Sequence, residues 1–146
     1  MKKRLIAIAL LVTMLAVLLS SCAMLEEAAK LTEYDLGTDK VRSVNSVIGE
    51  QRIVTAVSLG TQNGTQYKQY TYQTSSMVED LIAYSTYLQE NGWVVTQGYN
   101  LYDGNGEMQL GIESADYGKV LIISIAFEET QYAIRINKLV GELSYK

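Results

Sequence analysis

From residue 52 onward, short strand-like segments follow one another, and this pattern restricts the fold more than any other feature. Residues 52–60 and 67–72 are rich in β-branched and aromatic residues and flank Asn63-Gly64. The dipeptide Asn-Gly favours a two-residue hairpin turn, because both turn positions need positive φ. We therefore predict a β-hairpin here. Further strand-like segments, separated by turn residues, follow at 93–99, 107–114, 120–127 and 131–139.

One amphipathic helix separates the hairpin from the later strands. Ser76 followed by Glu79 is typical of a capping box at a helix N-terminus, and Gly92 is typical of the residue that ends a helix. Between them, residues suited to a buried position recur at the spacing of one helix face. We expect this face to contain Val78, Leu81, Ile82, Ser85 and Leu88.

These elements predict a two-layer α+β sandwich. Consecutive strands joined by short turns pair antiparallel. A hairpin, a helix and a three-stranded meander therefore form a mostly antiparallel sheet of four or five strands, with the main helix on one face. Residues 120–127 are apolar on both faces, which indicates a central strand covered on both sides or covered by a partner. A chain of 146 residues supports one domain, and we expect its whole core within 41–146.

Residues 41–48 permit two interpretations. Val41, Val44, Val47 and Ile48 recur at helical spacing, and Gly49 follows as a C-cap residue. We favour a short helix, with a strand as the alternative.

The first residues have the pattern of an export signal. Lys2, Lys3 and Arg4 form a basic start, and Leu5 to Leu19 is an apolar run that only Thr13 interrupts. This order is typical of a secretory signal peptide. An uncleaved transmembrane helix is the alternative, but the run is shorter than the roughly 20 apolar residues that spanning requires.

Leu19-Ser20-Ser21-Cys22 resembles the lipobox of bacterial lipoproteins, directly after the apolar run. The resemblance implies that Cys22 receives a diacylglyceryl group and becomes the mature N-terminus. Residues 1–21 are then a signal peptide and residues 22–40 a lipidated tether. The protein would lie on the outer face of the plasma membrane of a monoderm, or on the outer membrane facing the periplasm of a diderm. The alternative is an ordinary signal peptide whose cleavage leaves a free thiol.

Composition excludes several functions. The chain has no His and one Cys, so imidazole catalysis, intramolecular disulfides and Cys-based zinc sites are excluded. Without the three basic residues of the signal peptide, nine Lys and Arg remain against sixteen Asp and Glu, a net side-chain charge of −7. Nucleic acid repels such a chain. We predict no cofactor and no nucleic-acid partner.

Catalytic patterns are sparse. A small hydrolase could use a Ser–Lys pair or two carboxylates, but the mature chain holds no Ser-x-x-Lys motif. The carboxylates near predicted turns are Asp103, Glu107, Glu113, Asp116, Glu128 and Glu129. Because such residues are common at solvated turns, we treat this hydrolase as the alternative function and predict a protein that is not an enzyme.

Asp103, Asn105 and Glu107 space three oxygen-bearing side chains two residues apart. This spacing resembles the start of a calcium loop. However, the twelfth loop position would be Ser114, and neither flank has a helical pattern. We favour a glycine-rich turn between strands and predict no metal site.

Tyrosine is the most unusual residue in the composition, with 11 Tyr against one Phe and one Trp. Tyrosine combines flat apolar area with a polar tip and suits recognition surfaces, although it is also a good strand former. The candidate binding face consists of Tyr67, Tyr70, Tyr72, Tyr99 and Tyr102, while Tyr84 and Tyr87 lie beside the apolar helix face. We therefore expect a non-catalytic envelope lipoprotein that binds cell-wall glycan, peptide or a partner protein. Subunit assembly through an edge strand is a further alternative.

Overall fold

The computed structural model describes residues 21–144. Its helical elements are α1 at 21–29, α2 at Val44–Ile48, α3 at Met77–Glu90 and a 3-10 turn at Leu101–Asp103. A separate hairpin consists of β1 (Glu33–Asp35) and β2 (Lys40–Arg42). The larger sheet consists of β3 (Ile53–Gln62), β4 (Thr65–Gln73), β5 (Val94–Gln97), β6 (Asn105–Glu113), β7 (Lys119–Glu128) and β8 (Gln131–Val140).

The larger sheet is antiparallel throughout, in the order β3-β4-β8-β7-β6-β5. The predicted α+β class is confirmed. The hairpin at Asn63-Gly64 is also confirmed, since both residues have positive φ, 52° and 77°. The predicted number of strands was too low, because Val94–Gln97 pairs with β6 and gives the meander a fourth strand. The two edges of the sheet are β3 and β5.

Part of the segment predicted as a tether packs into the domain. Tyr34, on β1, is fully buried, and Ala28 and Ala29 at the end of α1 are buried as well. The β1–β2 hairpin places Tyr34 opposite Val41, which is also buried. The core therefore begins before residue 41.

The short helix predicted within 41–48 is confirmed for Val44–Ile48, whereas Val41 and Arg42 belong to strand β2. Ser43 caps α2, because its hydroxyl accepts a hydrogen bond from the Ser46 N–H at 3.2 Å. Gly49 ends the helix with φ of 72°, and its N–H donates to the Asn45 carbonyl. The Asn45 side chain is buried and donates to the Ala29 carbonyl, which ties α2 to α1.

Helix α3 lies where the sequence predicts it, but its N-terminus and its buried face differ. Ser76 makes no side-chain cap, so the predicted capping box is wrong; instead the Thr74 hydroxyl accepts the Ser76 N–H at 2.9 Å. Ile82 is exposed, and Tyr84, expected beside the buried face, is fully buried. The face that packs on the sheet consists of Met77, Asp80, Leu81, Tyr84, Ser85 and Leu88.

The C-terminus of α3 follows the prediction. Gly92 has φ of 88°. Its N–H donates to the Gln89 carbonyl, and the Trp93 N–H donates to the Leu88 carbonyl. This pair of bonds is the Schellman arrangement, in which glycine supplies the left-handed conformation. It turns the chain sharply from α3 into β5.

The core lies between the helices and one face of the sheet. Every second residue of the central strands β6, β7 and β8 points into it, and the innermost are Leu110, Ile123, Ile125, Ile134 and Ile136. On the opposite face of β7, Val120 is buried at one end, Ile122 and Ser124 are half-buried, and Ala126 is exposed. The expectation that a second layer covers this strand is therefore wrong for the described residues. Leu143 covers one end of this face, where it approaches Gly111.

Four buried tyrosines join the layers of the fold. The hydroxyls of Tyr34 and Tyr72 lie 2.5 Å apart. The Tyr84 hydroxyl donates to the Arg42 carbonyl at 3.0 Å, and the Tyr132 hydroxyl donates to Asp80 Oδ2 at 3.1 Å. Each phenol therefore has a hydrogen-bond partner inside the protein.

We expect the domain to lose stability at alkaline pH. Burial raises the pKa of Tyr34, Tyr72, Tyr84 and Tyr132 above the ordinary value of 10. Because the folded pKa is the higher one, their contribution is complete below about pH 10 and is lost as the pH rises through the folded values. Urea unfolding, followed by circular dichroism between about pH 8 and 12, should show a constant midpoint that then falls.

The same experiment needs an exposed tyrosine as its control. Tyr117 is fully exposed, so Tyr117→Phe should leave the alkaline profile unchanged. Tyr84→Phe should make the loss of stability with rising pH less steep, because one fewer buried phenol ionises when the chain unfolds. Phenolate absorbance that develops completely while the protein is still folded would contradict the prediction.

Candidate functional site

The uncovered face of the sheet carries a continuous row of polar side chains. The strand register places one residue from each of the six strands directly beside the next. At a strand spacing of about 4.8 Å, the row extends for roughly 24 Å across the sheet. We call it the polar row; in spatial order it consists of Ser58, Gln69, Arg135, Ser124, Gln109 and Gln97.

A groove of about 650 Å³ follows the polar row. Gln69, Arg135, Ser124 and Gln109 line it. The neighbouring pair on β7 and β8 is Ala126 opposite Ala133, and both also line the groove. The two alanine side chains are short and form the shallow bottom of the groove, and the longer polar side chains of the row lie beside them. The groove is open to solvent and offers hydrogen-bonding groups along its whole length.

Arg135 is the best-positioned side chain in the groove. Its Nε donates to Gln69 Oε1 at 2.8 Å, and its Nη1 donates to Gln62 Oε1 at 2.8 Å. Its guanidinium carbon lies 4.6 Å from the centre of the Tyr67 ring. Two hydrogen bonds and a cation–π contact fix the plane of the guanidinium. Both hydrogen-bond acceptors are neutral, so the charge of Arg135 is not compensated within these contacts.

Gly60 allows this arrangement. Tyr67 on β4 is paired with Gly60 on the edge strand β3. A Cβ atom at residue 60 would lie 2.8 Å from the Tyr67 hydroxyl and about as close to the ring. The absence of a side chain therefore lets the ring lie across β3, beneath the guanidinium of Arg135.

The structure does not bring the predicted tyrosine face together. Tyr70 and Tyr72 point into the core, whereas Tyr67 points to the opposite face, because side chains alternate along a strand. Tyr99 packs edge-on against Phe127, with ring centres 5.5 Å apart. Tyr102 is exposed on the 3-10 turn. Of the five predicted residues, only Tyr67 contacts the groove cation.

The residues missed by the sequence analysis are Gln69, Ser124, Gln109 and Arg135. Each is a polar residue within an otherwise apolar or mixed strand, and each looks like an ordinary solvent-facing position. The one available signal was Arg135, which interrupts the run Tyr-Ala-Ile-Arg-Ile with a charge. Cross-strand register, which the sequence does not state, turns these scattered residues into one row.

The loop with calcium-like spacing is a capped turn. Asn100 accepts the Tyr102 N–H and donates to Asp103 Oδ1 at 3.2 Å. Asn105 and Glu107 already belong to β6. Among residues 21–144, no group of three or more Cys, Asp or Glu side chains is arranged to hold a metal ion.

A serine and a lysine, Ser114 and Lys138, bond to the same carboxylate in a cluster at the other end of the sheet. Asp39 Oδ2 accepts from the Ser114 hydroxyl at 2.6 Å and lies 2.7 Å from Lys138 Nζ. The hydrogen bond to Asp39 raises the pKa of Lys138. Burial opposes ionisation of Asp39, but hydrogen bonds from the Ala115 N–H, Lys138 and Ser114 lower its pKa to about 2.

A lysine that remains protonated cannot act as the general base of a Ser–Lys hydrolase. Asp116 also accepts from Lys138, at 3.0 Å. The cluster therefore joins the β1–β2 turn to the β6–β7 turn and to β8. Of the remaining acidic candidates, Glu113 accepts the Leu143 N–H, while Glu128 and Glu129 lie at the β7–β8 turn.

No protein-family model, curated protein or solved structure matches this chain. The geometry of the chain itself must therefore carry the functional argument. Within the part of the chain that the structure describes, no helix is both long and apolar enough to cross a membrane.

Proposed function

We propose that this chain is an exported lipoprotein whose domain is a non-catalytic binding module, with its ligand lying along the polar row. The observation that carries the proposal is the continuous row of amides, hydroxyls and one guanidinium across an uncovered sheet face. Such groups bind a polar, extended ligand rather than an apolar one. An extended polar chain in the cell envelope, either a glycan or a peptide, fits this description.

The anchor of the proposed lipoprotein is Cys22. Leu19 and Ser20 of the lipobox lie outside the described residues, and Ser21 and Cys22 are the first described residues and lie in α1. The Cys22 side chain is exposed, which is compatible with a lipid attached there. Two acyl chains give stable anchoring without a basic patch, and this agrees with the acidic mature chain. The membrane is the outer face of the plasma membrane in a monoderm or the outer membrane in a diderm.

The test is a ligand screen with the full-length protein in a mild detergent, against arrays of envelope glycans and peptides. We expect a saturable ligand whose affinity falls about fivefold or more in the double variant Gln109→Ala, Ser124→Ala, because each substitution removes one hydrogen bond. Gln66 is exposed and lies on the other face of the same sheet, so Gln66→Ala is the matched control. A ligand that is insensitive to the double variant and lost in the control would place the binding surface elsewhere.

A further inference from the structure

We infer that the ligand of the polar row is an oligosaccharide with sparse carboxylates, and that one carboxylate pairs with Arg135. The inference rests on the proposed function and adds the chemical class of the ligand. Four observations support it: the orientation of the guanidinium, its neutral partners, the acidic groups around the groove, and the position of the row on the face of the sheet.

The guanidinium of Arg135 has donors left for a ligand. Gln69 accepts from Nε and Gln62 accepts from Nη1. Among the described residues, no protein group accepts from Nη2. Two N–H groups on one edge of a planar guanidinium match the two oxygens of a carboxylate, and such a pair is stronger than a neutral hydrogen bond. The Tyr67 ring and the two amides hold this edge in place before a ligand arrives.

The neutral partners of Arg135 distinguish it from Arg52 and Lys138, which both pair with carboxylates. Arg52 pairs with Asp80 and Glu50, and Lys138 pairs with Asp39 and Asp116. Arg135 is partly buried in a chain of net negative charge, yet its side-chain acceptors are amides. Partial burial of a charge without a counter-charge is unfavourable. An external anion would supply the missing partner.

The acidic groups around the groove favour a ligand with few charges. Glu107 lines the groove beside Gln109. Glu128 and Glu129 line the adjoining cavity at the β7–β8 turn. A ligand with an anion on every unit would meet these carboxylates and be repelled. A chain with widely spaced carboxylates and hydroxyls between them can pair with Arg135 and hydrogen-bond to the amides and Ser124.

The position of the polar row favours a glycan over a peptide. An extended peptide binds a sheet by adding a strand at an edge, through main-chain hydrogen bonds. The row instead crosses the face, where the backbone groups of β4, β8, β7 and β6 are already paired. Side-chain amides, hydroxyls and a guanidinium are the available groups, and they suit the hydroxyl and acetamido groups of sugars.

The test compares matched tetrasaccharides by calorimetry with the full-length protein in detergent. One probe alternates N-acetylglucosamine with N-acetylmuramic acid, a second alternates N-acetylglucosamine with glucuronic acid, and chitotetraose carries no carboxylate. We expect at least one acidic probe to bind about tenfold more tightly than chitotetraose. Arg135→Gln should abolish this preference, and Arg135→Lys should retain part of it. The matched control is Arg42→Gln, because Arg42 lies on β2 and bonds to Ser46.

Each other outcome overturns the inference. If chitotetraose binds as tightly as both acidic probes, or if Arg135→Gln leaves the preference unchanged, the carboxylate assignment is wrong while the polar row remains a binding face. Tighter binding of poly(glycerol phosphate) or of a glutamate-containing peptide would assign a different ligand class. If no oligosaccharide binds, the inference fails, and the effect of Gln109→Ala, Ser124→Ala on the array ligands decides separately whether the proposed function stands. Circular dichroism of each variant identifies a loss of fold.

Discussion

Replacing Asp80 with asparagine is expected to lower the free energy of unfolding by about 3 to 5 kcal/mol, the range typical of breaking a buried ion pair. The Asp80 side chain is only 4% exposed, and its two oxygens accept from Nε and Nη2 of Arg52, both at 2.8 Å. Asp80 Oδ2 also accepts from the Tyr132 hydroxyl. Asparagine keeps the size of the side chain but loses its charge. Its amide NH2 group is itself a donor and would face the donors of Arg52. Urea unfolding of the full-length protein, followed by fluorescence of the buried Trp93, measures the change.

The control for Asp80→Asn is a change at Glu50, the exposed carboxylate that also pairs with Arg52. Glu50 lies 2.6 Å from Arg52 Nη1, but its side chain is 65% exposed. Surface ion pairs contribute about 0 to 1 kcal/mol, so Glu50→Gln should have a small effect. If Asp80→Asn were as stable as Glu50→Gln, the buried pair would not be what holds α3 to β8 and to the Arg52 segment.

The role of Asp80 illustrates why local sequence patterns were insufficient to predict the buried face of α3. In the sequence, Asp80 is an acidic residue in the first helical turn, where solvent exposure is the ordinary expectation. The structure turns the buried face of α3 so that Met77, Asp80 and Tyr84 point inward and Ile82 points to solvent. The partner of Asp80 is Arg52, which lies 28 residues earlier in the chain. Tertiary pairing at this distance leaves no periodic signal in the helix.

The features that the sequence predicts correctly are those set by neighbouring residues. The turn at Asn63-Gly64 and the helix end at Gly92 depend on positive φ, which few residues adopt easily. The helix at 44–48 ends at Gly49 for the same reason. The α+β class follows from the order of these local elements. None of these features depends on which strands become neighbours.

The candidate site, by contrast, depends on which strands become neighbours. Gln69 lies opposite Arg135, and Arg135 opposite Ser124, only because β4, β8 and β7 are adjacent in this register. A shift of one residue would turn every side chain to the other face. The predicted tyrosines do not share one surface for a related reason, since Tyr67 and Tyr70 lie on one strand but on opposite faces. Residue type suggested the tyrosine face, whereas the strand register defines the polar row that we propose as the binding surface.

Cys22→Ala is expected to abolish lipid attachment and leave an unprocessed precursor in the exporting cell. In the proposed lipoprotein a diacylglyceryl group would attach to the thiol, and alanine offers no nucleophilic sulfur. The two acyl chains of such a group would be sufficient for stable anchoring. The measurement is incorporation of labelled palmitate, together with the apparent mass and the membrane fraction of the protein.

The matched control for Cys22→Ala is a change two residues away. Met24 is exposed on the same helix and lies outside the four-residue motif. Met24→Ala should therefore be labelled, cleaved and retained on the membrane like the unaltered chain. Cleavage and release of the Cys22→Ala protein at the normal rate would show that an ordinary signal peptidase processes the chain. In that case the unaltered protein would carry a free Cys22 thiol. Its domain would then meet a ligand as a released protein rather than at a membrane surface.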